Sequence, residues 1–314
     1  MEEPTLELVA VNDIAPLENL AYLLKYDTAY GRYDKDVQTE EGKLIVDGKE
    51  IKFLSERDPA NLPWEELDID IAIESTGFFT NKEGLQKHLD AGADFVILSA
   101  PAKGEGVPTI VYGVTEIPED TDMVSAASCT TNSITPVVEI IGRRLGIQKA
   151  LMTTIHAYTS SQAIVDAPSK KVRRGRAAAA NFVPTTTGAA IATTKVLPQY
   201  QGKFDGVAVR APIPVGSISD MTFLTEKSTS VEELNNILSE EAETEKYKNV
   251  FGVTTEPLVS SDIVGTSYAS LADLEMTRVV DGNLIKIMAW YDNEWGFTNQ
   301  MVRTAVRIAK ERNF

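Results

Sequence analysis

The residues Ser125-Ala126-Ala127-Ser128-Cys129-Thr130-Thr131-Asn132 decide how this chain of 314 residues is read. Before them, Met123, Val124 and Ala126 have the character of the end of a short buried strand. After them, Ile134, Val137, Val138, Ile140, Ile141 and Leu145 recur at helical spacing. A strand therefore runs into a helix that begins near Cys129, and Ser128, Thr130 and Thr131 supply the small hydroxyls of a helix start. Cys129 is the only cysteine. A thiol at that point faces unpaired backbone N–H groups and the positive end of the helix dipole, which favours the nucleophilic thiolate. A lone cysteine in an arbitrary intracellular chain is more often a buried structural residue. Against that stand the strand-to-helix junction and a candidate base, His156, on an apparent strand over residues 151–158. Cys–His pairing is a recurring nucleophile arrangement, and from pattern alone both readings stay open.

Composition narrows the classes. With 43% hydrophobic and 24% charged residues the chain is ordinary for a globular protein, and its length allows two domains. No apolar run approaches a membrane span, and neither a signal peptide nor a membrane partner is expected. One cysteine excludes an internal disulfide and suits a reducing cytoplasm. A net charge of −16 argues against a nucleic-acid or anionic-membrane surface. Two histidines and one cysteine, far apart, make no metal-ligand cluster, so no metal is expected.

Outward from the junction, strands alternate with helices. A first strand is expected over residues 6–11, ending at Asn12-Asp13; in a dinucleotide fold an acidic residue at a strand end bonds the adenosine ribose. A helix over residues 17–26 follows, then a hairpin over residues 42–54 with its turn at Asp47-Gly48. A strand over residues 69–74 leads into Ser75-Thr76-Gly77, small residues beside a glycine that suit close approach of a nucleotide. A helix over residues 81–91 carries His88, expected as solvated surface, and a strand over residues 95–99 ends at Ser99. This rhythm predicts a mostly parallel, doubly wound sheet.

Past Cys129 the rhythm changes. Residues 162–184 are long and irregular and contain the basic run 170–176, weak as a nucleic-acid signal and more simply a solvated loop. Strands are expected over 207–212, 218–224 and 284–290, with helices over 231–241 and 294–312. Together these give an antiparallel sheet covered on one face by helices.

Four motifs then carry a resemblance over essentially the whole chain: Ala127-Ser128-Cys129-Thr130-Thr131-Asn132, Thr153-Thr154-Ile155-His156-Ala157-Tyr158-Thr159, Pro184-Thr185-Thr186-Thr187-Gly188-Ala189-Ala190, and Trp290-Tyr291-Asp292-Asn293-Glu294-Trp295-Gly296. In order and spacing they resemble phosphorylating glyceraldehyde-3-phosphate dehydrogenases. The resemblance implies an α/β fold: a Rossmann-like dinucleotide-binding domain over 1–128, a catalytic domain over 129–293, and a helix over 294–314 docking back on the first. It implies Cys129 as nucleophile and His156 as base. Ser128, Thr130, Thr187 and Gly188 would take the attacking inorganic phosphate, and Thr159 and Arg210 the phosphate of a small-molecule substrate. Arg57 would lie near the adenine, Ser99 would face the cofactor, and Asn293 would fix the nicotinamide carboxamide. Asp13 favours NAD, because a carboxylate repels a 2′-phosphate; Pro168-Ser169 lies where relatives modulate NADP use, so NADP stays open. The family also implies a homotetramer, with the irregular segment at subunit contacts.

The main departure is at the start. No G-x-G-x-x-G occurs in the sequence, and Met1-Glu2-Glu3-Pro4 resembles the last residues of the helix that follows the family's glycine loop. The chain is thus expected to begin one βα unit late, with the neighbours of the missing strand left unpaired. The readings kept beside phosphorylating oxidation of glyceraldehyde 3-phosphate are erythrose 4-phosphate oxidation, a cysteine hydrolase, and a non-catalytic subunit deficient in cofactor.

Overall fold

Parallel ladders and one wide mixed sheet carry the chain in the computed structural model, which describes residues 3–314. Two units separate by their contacts. One runs to Pro108 and takes in Pro118–Ser125 and Thr304–Phe314; the other comprises Thr109–Ile117 and Ala126–Arg303.

In the first unit β1 (Ala10–Asn12) is followed by α1 (Leu17–Lys25), the short pair β2 (Tyr26–Asp27) and β3 (Gly31–Arg32), and then β4 (Val37–Glu40), β5 (Lys43–Val46) and β6 (Lys49–Leu54). Their sheet has the order β1-β6-β5-β4, with β1 parallel to β6 and the other pairs antiparallel. Asp47 and Gly48 turn the β5–β6 hairpin with φ of 48° and 76°, the paired positive values that match the twist of the flanking strands. A second, wholly parallel sheet has the order β7-β8-β9, from β7 (Ile71–Glu74), β8 (Phe95–Leu98) and β9 (Met123–Ser125), with α2 (Lys82–Asp90) between the first two strands. Strand β8 is buried along its whole length, which is why it reads as an unbroken apolar run.

Two expectations need correction here. The strand expected over residues 6–11 is Ala10–Asn12 instead. With Ala10 opposite Lys52, the same register sets Leu6 opposite Gly48, which already belongs to the hairpin turn. His88 is not solvated surface; it is 5% exposed, because Trp64 and Glu74 close over it. Of the opening segment, Met1 and Glu2 lie outside the described residues. Among those described, β1 pairs only with β6 and β7 only with β8. The apolar cluster of Leu62, Trp64, Ala72 and Ala93 draws in Ala10 and Leu54 from the other sheet.

The second unit runs α3 (Cys129–Leu145), β10 (Ile147–Ala157), β11 (Val183–Thr186), α4 (Ala189–Val196), β12 (Phe204–Ala211), β13 (Ser217–Thr225), α5 (Val231–Ala242), β14 (Phe251–Thr254), β15 (Ser270–Val280), β16 (Leu284–Tyr291) and the start of α6 (Trp295–Arg312). Its sheet, in the order β11-β12-β10-β13-β16-β15-β14, is mixed rather than antiparallel, since β10–β12 and β14–β15 are parallel. Each parallel pair is joined by a connection long enough for a crossover. Residues 158–182 hold only two short 3-10 turns. Ile134, Val137, Val138, Ile140 and Ile141 of α3 meet Met221, Phe223, Ile285 and Ile287 of the sheet and Leu234 and Leu238 of α5. Full burial of such a side chain is worth on the order of 2 kcal/mol, so this face fixes where α3 begins. At the other end of α6, Arg312 donates to the carbonyls of Pro118, Glu119 and Thr121 within the first unit.

Candidate functional site

The approach to α3 is bent. Ala127 is fully buried and has φ +62°, a left-handed conformation that costs a non-glycine residue about 1–2 kcal/mol. Asn132, buried in the first turn of α3, offsets that cost by donating from Nδ2 to the carbonyls of Ala126 (2.9 Å) and Ser128 (3.0 Å). Ser128 caps the helix, its hydroxyl accepting the Thr131 N–H at 3.2 Å. Cys129 is thereby the first residue of the helix.

Its sulfur lies 3.3 Å from His156 Nε2. His156 stands opposite Arg210 in the parallel β10–β12 register, and Arg210 Nη1 lies 2.6 Å from Nδ1 and 2.7 Å from the Ala157 carbonyl. A guanidinium can only donate, so this contact makes Nδ1 an acceptor and puts the neutral ring's proton on Nε2, facing the sulfur. The Tyr291 hydroxyl bridges Thr154 (2.7 Å) and Thr130 (2.9 Å), and its ring meets the imidazole edge-on at 6.0 Å. Burial, then the Arg210 charge, holds His156 down at about 4. Burial pushes the Cys129 thiol up, against hydrogen bonds from Thr130 and the Arg210 charge. Both directions favour a thiol beside a neutral imidazole. Loss of solvent around the sulfur works against the N-terminal dipole that favours the thiolate.

Of the other residues singled out in this unit, Thr159 bonds Ser161 through its hydroxyl at 2.8 Å. Thr187 accepts the Ala189 N–H at 3.2 Å, and Gly188 is the N-cap of α4, with open space where a Cβ would point. The Thr130 hydroxyl is turned inward onto Tyr291 rather than presented to solvent. Asn293 accepts at Oδ1 from Ser217 Oγ (2.9 Å) and Gly216 N (3.2 Å), while Ser217 Oγ accepts the Ala157 N–H at 3.1 Å. Asn293 is therefore tied to the residue after His156, and the group it offers a ligand is its NH2.

Sequence reasoning passed over Arg174. Within the basic run it turns inward, donating from Nε to Thr185 Oγ1 (3.0 Å) and from Nη1 to Ser161 Oγ (3.3 Å). Gly175 permits this, because a Cβ there would stand 2.1 Å from the Ala167 carbonyl oxygen. Among the described residues neither Arg174 nor Arg210 pairs with a carboxylate, and Arg210 Nε is buried with no partner. In a chain with 46 acidic and 30 basic residues, two such cations next to a buried imidazole suit an anionic ligand.

In the first unit the remaining residues gather at the carboxyl ends of parallel strands. Asp13 follows β1; its N–H meets the Leu54 carbonyl at 3.1 Å and its Oδ1 accepts the Ala15 N–H at 2.8 Å, which leaves the second carboxylate oxygen for a ligand hydroxyl. Asn12 exchanges two hydrogen bonds with the Glu56 backbone, 3.0 and 2.8 Å, setting exposed Arg57 beside this strand end. Ser75, Thr76 and Gly77 follow β7, and the Ser99 N–H at the end of β8 bonds the Glu74 carbonyl at 3.0 Å. Gly77 has φ +75° and no atom within 4 Å of a built Cβ, so its surface is open to close approach. Open α/β sheets bind ligands at such strand ends. The free carboxylate oxygen of Asp13 suits a ribose hydroxyl, which fits the adenosine of NAD. Among the described residues no group of His, Cys, Asp and Glu is arranged to hold a metal, and no helix is long and apolar enough to cross a membrane.

Residues 128–293 match the family model of the glyceraldehyde 3-phosphate dehydrogenase C-terminal domain, and residues 1–82 match that of its NAD binding domain. A glyceraldehyde-3-phosphate dehydrogenase of Thermotoga maritima is 48% identical over 312 residues, covering 98% of this chain and 93% of the relative. Those of Zymomonas mobilis and Geobacillus stearothermophilus are each 46% identical, covering 97% and 99% of this chain and 91% and 93% of the relatives. With both of its parts matched and the likeness sustained from end to end, this chain belongs to the glyceraldehyde-3-phosphate dehydrogenase family and is an NAD-dependent oxidoreductase.

Proposed function

We propose that the chain oxidises D-glyceraldehyde 3-phosphate to 1,3-bisphosphoglycerate, with NAD and inorganic phosphate, through a thioester on Cys129. The observation that carries this reading is a sulfur 3.3 Å from an imidazole whose other nitrogen faces a guanidinium with no carboxylate partner. Arg210 and Thr159 take the substrate phosphate, with Arg174 as the second cation. Drawing Arg210 onto that phosphate frees His156 Nδ1; the ring proton exchanges through solvent from Nε2 to Nδ1, which donates to the Ala157 carbonyl 2.7 Å away, and Nε2 is left able to accept the thiol proton. The resulting thiolate adds to the aldehyde carbon, and the Cys129 backbone N–H at the helix start steadies the oxygen as charge develops. His156 returns its proton to that oxygen, giving a thiohemiacetal, and then removes the hydroxyl proton as the thioester forms. NAD, when bound, accepts the hydride released from that carbon. Inorganic phosphate, held by Ser128, Thr187 and Gly188 with Thr130 beside them, attacks the thioester, and Cys129 leaves as the thiolate.

Asp13, Arg57, Ser75, Thr76, Gly77 and Ser99 would hold the adenosine side of NAD and Asn293 its carboxamide; no residue is assigned to the pyrophosphate. The two functional parts are residues 1–128 and 129–293, with 294–314 returning to the first. A homotetramer in the cytoplasm completes the reading. Ile164, Val165, Val172 and Phe182, all more than 70% exposed in the irregular segment, support a subunit contact there.

NADH formation should require aldehyde, NAD and phosphate together, and Cys129→Ser should lower kcat by a factor on the order of a thousand or more. A higher kcat/KM for erythrose 4-phosphate would reassign the substrate. Efficient ester hydrolysis without NAD would overturn the dehydrogenase reaction.

A further inference from the structure

Trp64, His88, Glu74 and Thr76 form a hydrogen-bonded chain that the oxidation leaves without a role. Glu74 closes β7 and is 3% exposed, and His88 on α2 is nearly as buried. The Trp64 indole donates to His88 Nδ1 at 3.1 Å, and the two rings stack 12° from parallel. An indole N–H can only donate, so Nδ1 accepts and the neutral ring carries its proton on Nε2. That nitrogen lies 3.1 Å from Glu74 Oε2 and donates to it. The other oxygen, Oε1, accepts the Thr76 backbone N–H at 2.7 Å and the Thr76 hydroxyl. The same hydroxyl accepts the Phe78 N–H at 3.2 Å. Burial works to raise the Glu74 carboxyl, and the hydrogen bonds from His88 and Thr76 outweigh it, leaving it below the ordinary carboxylate range.

We infer that Trp64 and His88 are positioning residues for the cofactor loop of residues 75–78, acting through the Glu74 carboxylate. Trp64 fixes the tautomer of His88, and His88 occupies Oε2. Glu74 is then left as a carboxylate with Oε1 aimed at Thr76. An ionised carboxyl accepts and never donates, so it can serve all three donors at once. Without the His88 proton, Oε2 is a buried acceptor with nothing to bond, and the carboxyl must rotate or protonate. Either change breaks the bonds that hold Thr76 and, through its hydroxyl, Phe78. Between them lies Gly77 in its left-handed conformation. This inference rests on the reading that Ser75, Thr76 and Gly77 face NAD.

Backbone hydrogen exchange and calorimetric NAD titration of the full chain test it. His88→Leu removes both donor and acceptor. It should speed exchange of the Thr76 and Phe78 amides about tenfold and weaken NAD about tenfold, the effect of one lost bond to a charged group. The KM for the aldehyde should stay unchanged. His88→Gln keeps an N–H for Glu74 and should recover most of both losses. If His88→Leu does not fold, Trp64→Phe removes the indole N–H while keeping an aromatic ring at that position, and carries the same test with a smaller effect. Unchanged loop exchange and NAD affinity in these variants would overturn the inference. So would a lowered Tm in both His88 variants with no change confined to the loop. Gly77→Val separates the two layers. If it leaves NAD binding intact, the loop does not face the cofactor, and that reading fails independently of His88.

Discussion

His156 shows how much of a buried imidazole's behaviour is set by what surrounds it. Burial and the Arg210 charge hold it at about 4, against about 6.5 in an unfolded chain. Between those values the unfolded state binds a proton that the folded state does not, so stability falls as pH drops from about 6.5 toward 4. The shift of roughly 2.5 units corresponds to about 3 kcal/mol. Substrate-free wild type should therefore lose about 3 kcal/mol more than His156→Gln across that window, read by urea unfolding at each pH. Equal slopes for the two proteins would mean that the imidazole is not held neutral. The pairing of Cys129 with His156 was legible because a hydroxyl-rich helix start and a polar residue in an apolar strand both stand out locally. Their charge states were not. These depend on Arg210, which is distant in sequence and meets His156 only through the parallel β10–β12 register.

Helix α3 was legible from its apolar spacing, yet its second half holds a constraint that spacing hides. Gly142 looks like an ordinary weak point, since glycine costs a helix interior about 1 kcal/mol relative to alanine. A Cβ there would stand 1.7 Å from the hydroxyl of Tyr200, a residue 8% exposed. Gly142→Ala should therefore destabilise, by about 1–3 kcal/mol of overpacking net of the gain in propensity, measured by urea denaturation. A gain in stability would show that Tyr200 moves aside freely. Elements were missed where their pattern is broken. Strand β15 has a register shift between Asp273 and Arg278 against β16, and such an irregularity interrupts the alternation that announces a strand. Strand β14 is only four residues long and half buried. The parallel pairs escaped notice because strand direction is set by crossovers, which leave no periodic mark in the strands they join.

At the scale of the molecule the two units differ in how their cores are built. The second has one continuous cluster running from α3 through the central strands to α5. Among the described residues, the first has smaller clusters around Leu17 and Val46, around Trp64 and Ala72, and around Leu85 and Val96, with Phe95, Ile97, Val124 and Ile308 buried besides. Its sheet is likewise in two pieces, and Leu8, Ile73 and Phe78 remain exposed. A core so divided buries less apolar area per cooperative step, so the first unit should unfold before the second. Calorimetry without ligand should resolve two transitions. Fluorescence assigns them, because Trp64 is the only tryptophan of the first unit, whereas Trp290 and Trp295 belong to the second. NAD at a hundred times its dissociation constant adds about 2.7 kcal/mol to whatever binds it, a rise of about 5–10 °C for a unit of this size. Because most of the residues assigned to NAD lie in the first unit, that rise should fall on the lower transition and close the gap to the upper one. A single transition that NAD moves as a whole would mean that the units unfold together, and that the clusters of the first are stabilised by more than their own burial.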